Sequence, residues 1–337
     1  MKAVAYKSTG PIDREDALQD ITLETPTAAG RDLLVRINAV SVNPVDTKLR
    51  VRQEPEPGGW GILGYDAAGI VEAVGTEVKN FKPGDAVFYA GAINRPGTNS
   101  EYHLVDERIV GHKPESVSDA EAAALPLTAI TAWEMLFDRL KVKHPTAQGG
   151  DKVLLVGGAG GVGSITIQLL RALTDLTVIA TASRPETQDW VRECGAHHVI
   201  DHRQPLAPQV DALGLGAPGF VFSTTQTDSH FDDIVELIAP QGRFGLIDDP
   251  EVLSALPLKR KAVSLHWELM FTRSLFGTPD MEEQGKLLNQ VAELVDSGKI
   301  RSTVTEVAGK IDAATLRAVH AQIESGSARG KIVLEGF

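Results

Sequence analysis

The segment that most restricts how this chain can fold is 151–164, Asp-Lys-Val-Leu-Leu-Val-Gly-Gly-Ala-Gly-Gly-Val-Gly-Ser, an apolar run that breaks into glycines. Positions 153–156 are aliphatic throughout, as in a parallel strand buried on both faces. Gly158, Gly160 and Gly163 follow with GxGxxG spacing. In such a loop the first glycine permits a tight turn, the second lets the backbone approach a pyrophosphate, and the third lets the helix pack close to the strand. A helix over 162–174, entered through Ala159, Gly161 and Val162, would offer its free N–H groups to phosphates.

Alone, three glycines among 32 could be a flexible turn. The context supplies more. A second apolar run spans 176–182, a helical pattern 187–194 and a third strand pattern 197–201, giving βαβαβ in register. Beyond it, 220–223 reads as a strand, 231–238 as a helix and 242–247 as a strand, which complete a second nucleotide-binding half. The reading is a dinucleotide site.

An NAD-preferring site places an acid at the end of the second strand, about 20 residues on, for the ribose 2′-OH. Here that place holds Thr-Ala-Ser183-Arg184-Pro, with no acid. A hydroxyl and a guanidinium suit a 2′-phosphate, so NADPH is expected over NADH. A solvated arginine at a helix start is the bland alternative. His202 could extend the basic pocket, whereas Arg203 reads as a surface residue.

A chain of 337 residues suggests two cores. Its net charge of −12, with no basic cluster longer than Lys259-Arg260-Lys261, argues against nucleic-acid and membrane-surface partners. The single cysteine, Cys194, excludes an intramolecular disulfide and a multi-cysteine metal site, and reads as a packed core thiol. The opening residues do not suit a signal peptide and no apolar run reaches membrane-spanning length, so a cytoplasmic protein is expected.

Before the glycine loop the chain reads as short strands, at 3–6, 33–42, 67–74, 86–89 and 100–105, separated by turns. A helix over 118–140 bridges to the second half. Further on, 263–271 reads as a strand or a segment beneath a pocket, 281–297 as a helix and 331–334 as a final strand.

Five ordered blocks together resemble the medium-chain dehydrogenase/reductase superfamily, and within it the zinc-free quinone oxidoreductase branch, whose close relatives carry the label zinc-type alcohol dehydrogenase-like. They are Ser41-Val42-Asn43-Pro44-Val45-Asp46, Gly64-Tyr65-Asp66-Ala67-Ala68-Gly69-Ile70-Val71, Phe81-Lys82-Pro83-Gly84-Asp85-Ala86-Val87, the glycine loop, and Gly330-Lys331-Ile332-Val333-Leu334. The resemblance spans the chain. It implies an α/β fold, with a Rossmann doubly wound parallel sheet domain inserted into a β-rich GroES-like barrel domain. The expected divisions are 1–127, 128–266 and 267–337, with the active site in the cleft between domains. It also implies a homodimer, with 256–267 as the candidate edge.

Zinc-dependent members carry a cysteine ligand in the first block and a Gly-His-Glu in the second. The corresponding positions here resemble Asn43 and Tyr65, and an amide and a phenol do not replace thiolate and imidazole at neutral pH. His103, His112 and His144 lack paired ligand spacing. No catalytic metal is expected. Hydride transfer would then need an acceptor that stabilises the resulting charge itself, such as a quinone or an α,β-unsaturated carbonyl.

By the family pattern Asn43 faces the nicotinamide ribose or the acceptor, Thr131 lies near the nicotinamide ring, and Gly245, Leu246 and Ile247 pass its amide. Lys331 is placed among the cofactor contacts. Tyr65 is either a donor to the substrate oxygen or a packed aromatic with its hydroxyl bonded to backbone. Asp46 and Arg50 suit a structural ion pair as well as a catalytic role. Trp267 and Phe271 wall an acceptor pocket or belong to the core. Competing readings are a zinc-dependent alcohol dehydrogenase and a non-catalytic NADPH-binding protein.

Overall fold

A computed structural model of the chain describes residues 1–144 and 146–337. It divides into two compact units, Met1–Ile130 with Phe271–Phe337, and Thr131–Met270.

The first unit begins with β1 (Lys2–Tyr6), β2 (Gln19–Thr22), β3 (Asp32–Ser41), α1 (Pro44–Arg52), β4 (Gly61–Ile62), β5 (Ala67–Val74), β6 (Ala86–Tyr89), β7 (Tyr102–Asp106), β8 (Gly111–His112) and α2 (Asp119–Ala123). Helix α3 (Pro126–Trp133) carries the chain across the division. The helix expected over 118–140 is therefore interrupted. Pro126 has no N–H to continue α2, and after Trp133 the backbone widens into a π turn, Glu134–Arg139, in which Leu140 N–H donates to Met135 C=O at 2.8 Å.

The second unit alternates β9 (Lys152–Val156), α4 (Gly161–Leu173), β10 (Thr177–Thr181), α5 (Pro185–Glu193), β11 (His198–Ile200), α6 (Leu206–Ala212), β12 (Phe220–Ser223), α7 (Thr227–Leu237), β13 (Arg243–Leu246) and β14 (Ser264–Trp267). Its six strands run in the order β11-β10-β9-β12-β13-β14, and every pairing is parallel. Numbered within the sheet this is 3-2-1-4-5-6, the doubly wound order of dinucleotide-binding folds. Central strands β9 and β12 are buried at every position because helices cover both faces, whereas the outermost β14 is not. Leu154, Val156, Val221 and Phe244 pack on Phe231 and Ile234 of α7 to form the core. The segment expected over 263–271 is a strand only over β14.

The chain then returns to the first unit through α8 (Thr272–Phe276), α9 (Glu283–Asp296), β15 (Val304–Gly309), α10 (Ala313–Glu324) and β16 (Lys331–Glu335). Strand β16 pairs antiparallel with β3, so the last block of the sequence lies beside the first in a sheet ordered β15-β16-β3-β5-β6-β8, with β7 also on β3. A smaller sheet has the order β2-β1-β4. No helix among the described residues is long and apolar enough to cross a membrane.

Candidate active site

The parallel register of the second unit brings its strand ends to one edge, where ligands of open α/β sheets bind. At the end of β9 the residue with a left-handed backbone is Gly157, φ +84°, not the Gly158 to which the sequence assigned the turn. A side chain at Gly157 would also strike the Thr224 hydroxyl, 2.3 Å from an ideal Cβ. The third glycine fills its expected role. A Cβ on Gly163 would lie 2.2 Å from the carbonyl oxygen of Gly157 and 2.7 Å from that of Gly158, so α4 starts against the turn itself. Gly160, the residue before the helix, is different: a Cβ there would meet nothing nearer than 3.8 Å, and its surroundings are open.

The turn is pinned from both sides. Gly157 N–H donates to the Thr181 hydroxyl and Gly158 N–H to the Thr181 carbonyl, both at 3.0 Å, while the Thr224 hydroxyl donates to Val156 C=O at 2.9 Å. The N–H groups of Gly161, Val162 and Gly163, in the first turn of α4, have no carbonyl four residues back in the helix to bond. Backbone pinned from both sides and open at Gly160, with orphan donors beyond it, fits a diphosphate.

Ser183 and Arg184 follow β10, and Arg184 precedes α5. Its guanidinium forms a surface pair with Glu186 at 3.0 Å. His202, past β11, reaches the same Thr181 hydroxyl with Nδ1 at 3.3 Å. Burial, then neighbouring His230, holds His202 below the usual histidine range, so its ring stays neutral at physiological pH. Ile247 stands at the end of β13, its N–H on Ser223 C=O at 3.3 Å. Ser183, Arg184, His202 and Ile247 thus share the strand-end edge with the glycine loop. Arg203 pairs with Asp201 at 2.6 Å on the surface, as the sequence suggested.

The first unit holds a different cluster. Asn43 precedes α1, and Pro44 occupies the first helical position, where its missing N–H costs nothing. Asp46, one turn in, accepts Asn43 N–H at 2.7 Å through one oxygen and Gly64 N–H at 2.8 Å through the other. Gly64 has φ +110°, and a Cβ there would sit 2.5 Å from the Thr98 hydroxyl. The Asn43 amide is fixed at both ends: Nδ2 donates to Asp66 at 2.8 Å, and Oδ1 accepts from the Lys331 ammonium. Lys331 also donates to Val42 C=O at 2.9 Å and stands 3.2 Å from Asp66. Asp66 accepts in addition from Leu127 N–H at 2.7 Å.

Burial shifts each of these groups toward its neutral form. Asp46 is pushed up to about 7 by burial, against the two N–H donors and Lys331. Asp66 is raised and Lys331 lowered by the same desolvation, each restrained by the other's charge. Tyr65, 3% exposed, sets its ring edge-on to Phe271 at 5.3 Å. Burial and then Asp46 raise its hydroxyl further, so it remains a proton-bearing donor.

Several expectations change on this geometry. Lys331 and Asn43, expected among the nucleotide contacts, are engaged with their neighbours: the three ammonium donors on Val42, Asn43 and Asp66, and the Asn43 amide on Asp66 and Lys331. Asp46 and Arg50 do not pair with each other: Arg50 bonds Gly10 C=O and the Glu324 carboxylate. Phe271 is core, and Trp267 is 51% exposed on the outer strand. Thr131 lies buried on α3, one turn before Glu134. Asp66, which the sequence left without a role, is the hub of the cluster, and its one signal was to be the lone acid of the Gly64 block. Zinc does not fit these residues, because an amide already bonded twice, a protonated phenol and an ammonium offer no tetrahedral set of thiolate or imidazole donors.

Residues 29–115 match the alcohol dehydrogenase GroES-like domain, and residues 194–334 match the zinc-binding dehydrogenase family. The chain is 39% identical over 99% of its length, and 99% of the other's, to the zinc-type alcohol dehydrogenase-like protein SAS2087 of Staphylococcus aureus (strain MSSA476). It is 31% identical to the human mitochondrial NAD(P)H oxidoreductase RTN4IP1, over 90% of this chain and 81% of that one. A crystal structure of a putative zinc-dependent alcohol dehydrogenase protein from Rhizobium etli CFN 42 superposes with a TM-score of 0.98 at 62% identity, covering 100% of this chain and 98% of that one. The chain therefore belongs to the medium-chain dehydrogenase/reductase superfamily of oxidoreductases, among its zinc-type alcohol dehydrogenase-like members.

Proposed function

We propose that this protein is an NADPH-dependent reductase that passes hydride to quinones or α,β-unsaturated carbonyls without a metal. One observation carries the reading. The two positions that resemble the ligand sites of zinc-dependent members hold Asn43 and Tyr65, and the surrounding cluster already contains its own cation, Lys331. A bound nicotinamide nucleotide supplies a two-electron hydride. The residues of this chain do the rest. The strand-end edge of the second unit holds the diphosphate on Gly160 to Gly163, with Ser183 and Arg184 toward the 2′-phosphate. Lys331 and Asp66 fix Asn43, and the Tyr65 hydroxyl, kept protonated by burial, donates toward the acceptor oxygen. Hydride addition to a quinone or enone leaves a delocalised oxyanion, and one proton completes the reduction.

The test is nucleotide oxidation by purified, metal-analysed protein with 1,4-benzoquinone, 9,10-phenanthrenequinone and a simple enone, run in parallel with NADPH and NADH. Turnover selective for NADPH in zinc-free protein is the expected result. Equal use of NADH overturns the roles of Ser183 and Arg184, and activity that follows stoichiometric zinc overturns the metal-free mechanism. Tight NADPH binding without turnover across the panel points to a non-catalytic binding protein.

The reading extends to a homodimer through β14, the outer strand of its sheet, which leaves Trp267 half exposed. Sedimentation at two concentrations tests it, and a monomer at both contradicts it.

A further inference from the structure

Two buried carboxyl groups in the second unit have no part in the chemistry above. Glu134 opens the π turn one helical turn after Thr131 and is fully buried. Glu268 immediately follows β14, and its side chain has no exposure. Its backbone N–H donates to Leu246 C=O at 3.2 Å, so it sits at the carboxyl end of the sheet beside the strand that leads into Ile247. Glu134 stands near enough to Glu268 for its charge to raise that carboxyl, and Arg139 approaches Glu268 at 2.7 Å. Two carboxyl groups this close in a buried site favour a proton on one of them. With one proton, Arg139 balances the remaining charge; without it, two like charges face each other in a dry site.

The backbone is built to bring them together. The widened π turn lays Met135 on β13 at Gly245, where a Cβ would sit 2.2 Å from the Met135 sulfur. Glycine at 245 therefore lets this helix settle onto the strands that end in Ile247 and Glu268. The other charged and titratable groups of these elements are Asp138, Lys141, Arg243 and His266. Arg243 is spent on the carbonyls of Leu140, Lys141 and His144, and His266 is held below the usual histidine range by burial and by Arg243.

We infer that Glu134 and Glu268, joined by one proton and clamped by Arg139, are positioning residues that hold the Thr131 helix against the strand ends and so shape the nicotinamide end of the nucleotide site. The inference rests on the reading that this unit binds the nucleotide. Burial, then the charge of Glu134, pushes Glu268 up to about 8, so the shared proton is kept at neutral pH and lost in mild alkali. Above that pH the ionised pair separates and the helix loosens.

The experiment is a fluorescence titration of NADPH at steps from pH 7 to pH 9.5, with melting temperatures at each pH, on the wild-type protein, Glu268→Gln and Glu134→Gln. Glutamine keeps a donor toward the remaining carboxylate but has no proton to lose. Wild-type Kd should rise by about fivefold or more across pH 8, and by less than about twofold in Glu268→Gln. The same rise in both overturns the pair's role, as does a variant that changes only the melting profile. Absence of NADPH binding at every pH overturns the nucleotide reading instead, and the melting profiles still report whether the pair shares a proton.

Discussion

The cluster around Asn43 and the glycine edge of the second unit solve opposite problems. In the first, side chains carry the charges and satisfy one another: Lys331, Asp66 and Asn43 form a closed set, and Asp46 is held by two backbone donors. In the second, the backbone carries the donors, and side chains are absent so that something else can come near. A closed set is intolerant of losing any member. An open one tolerates change for folding but not for binding. Stability and function should therefore separate by region.

The largest effect is expected from Lys331→Met. It leaves Asp66 buried beside Asn43 with no cation, and should cost about 3 kcal/mol of unfolding free energy by urea titration. A loss below about 1 kcal/mol would mean the cluster is less closed than its hydrogen bonds imply. Next comes Gly163→Ala. Its Cβ meets backbone carbonyls at 2.2 and 2.7 Å, so α4 must move off the turn. Roughly 2 kcal/mol of stability should go, and NADPH binding with it.

Gly160→Ala sharpens the contrast. With nothing nearer than 3.8 Å, the methyl group should leave stability within about 0.5 kcal/mol of wild type while weakening NADPH binding about tenfold by calorimetry. Equal loss of both would break the distinction between the two regions. Asp46 offers a pH test of the closed cluster. Its carboxyl is raised to about 7, so the folded chain keeps a proton that the unfolded chain releases in the usual carboxylate range. Stability should fall as pH rises from that range toward 7 and level off above it, relative to Asp46→Asn, which lacks the slope. The smallest effect is Arg184→Ala, an exposed pair member, which should leave the melting temperature unchanged and erode NADPH-over-NADH preference several-fold.

What the sequence revealed follows the same division. A backbone that must turn, approach a phosphate and admit a helix writes its needs locally as glycines, so the loop and its βαβ context were legible. The turn was misplaced by one residue because Gly157 and Gly158 are adjacent and only the φ angle tells them apart. The polar cluster was legible as a set of blocks but not as a network. Lys331 and Asn43 are 288 positions apart and meet through the pairing of β16 with β3. Helix α1 escaped notice for a related reason: its buried residues are Asp46, Thr47 and Arg50, so no apolar periodicity marks it. The break between α2, α3 and the π turn was hidden by a continuous run of helix-forming residues, although Pro126 stood in it. Glu134 and Glu268, each an ordinary acid in sequence, acquire meaning only when strand β14 delivers one to the other.

The most direct test of the account is NADPH-linked reduction of 1,4-benzoquinone by wild-type protein stripped of metal and verified zinc-free. Undiminished turnover, not raised by added zinc, is the predicted result. Activity that vanishes on stripping and returns in proportion to zinc would contradict it.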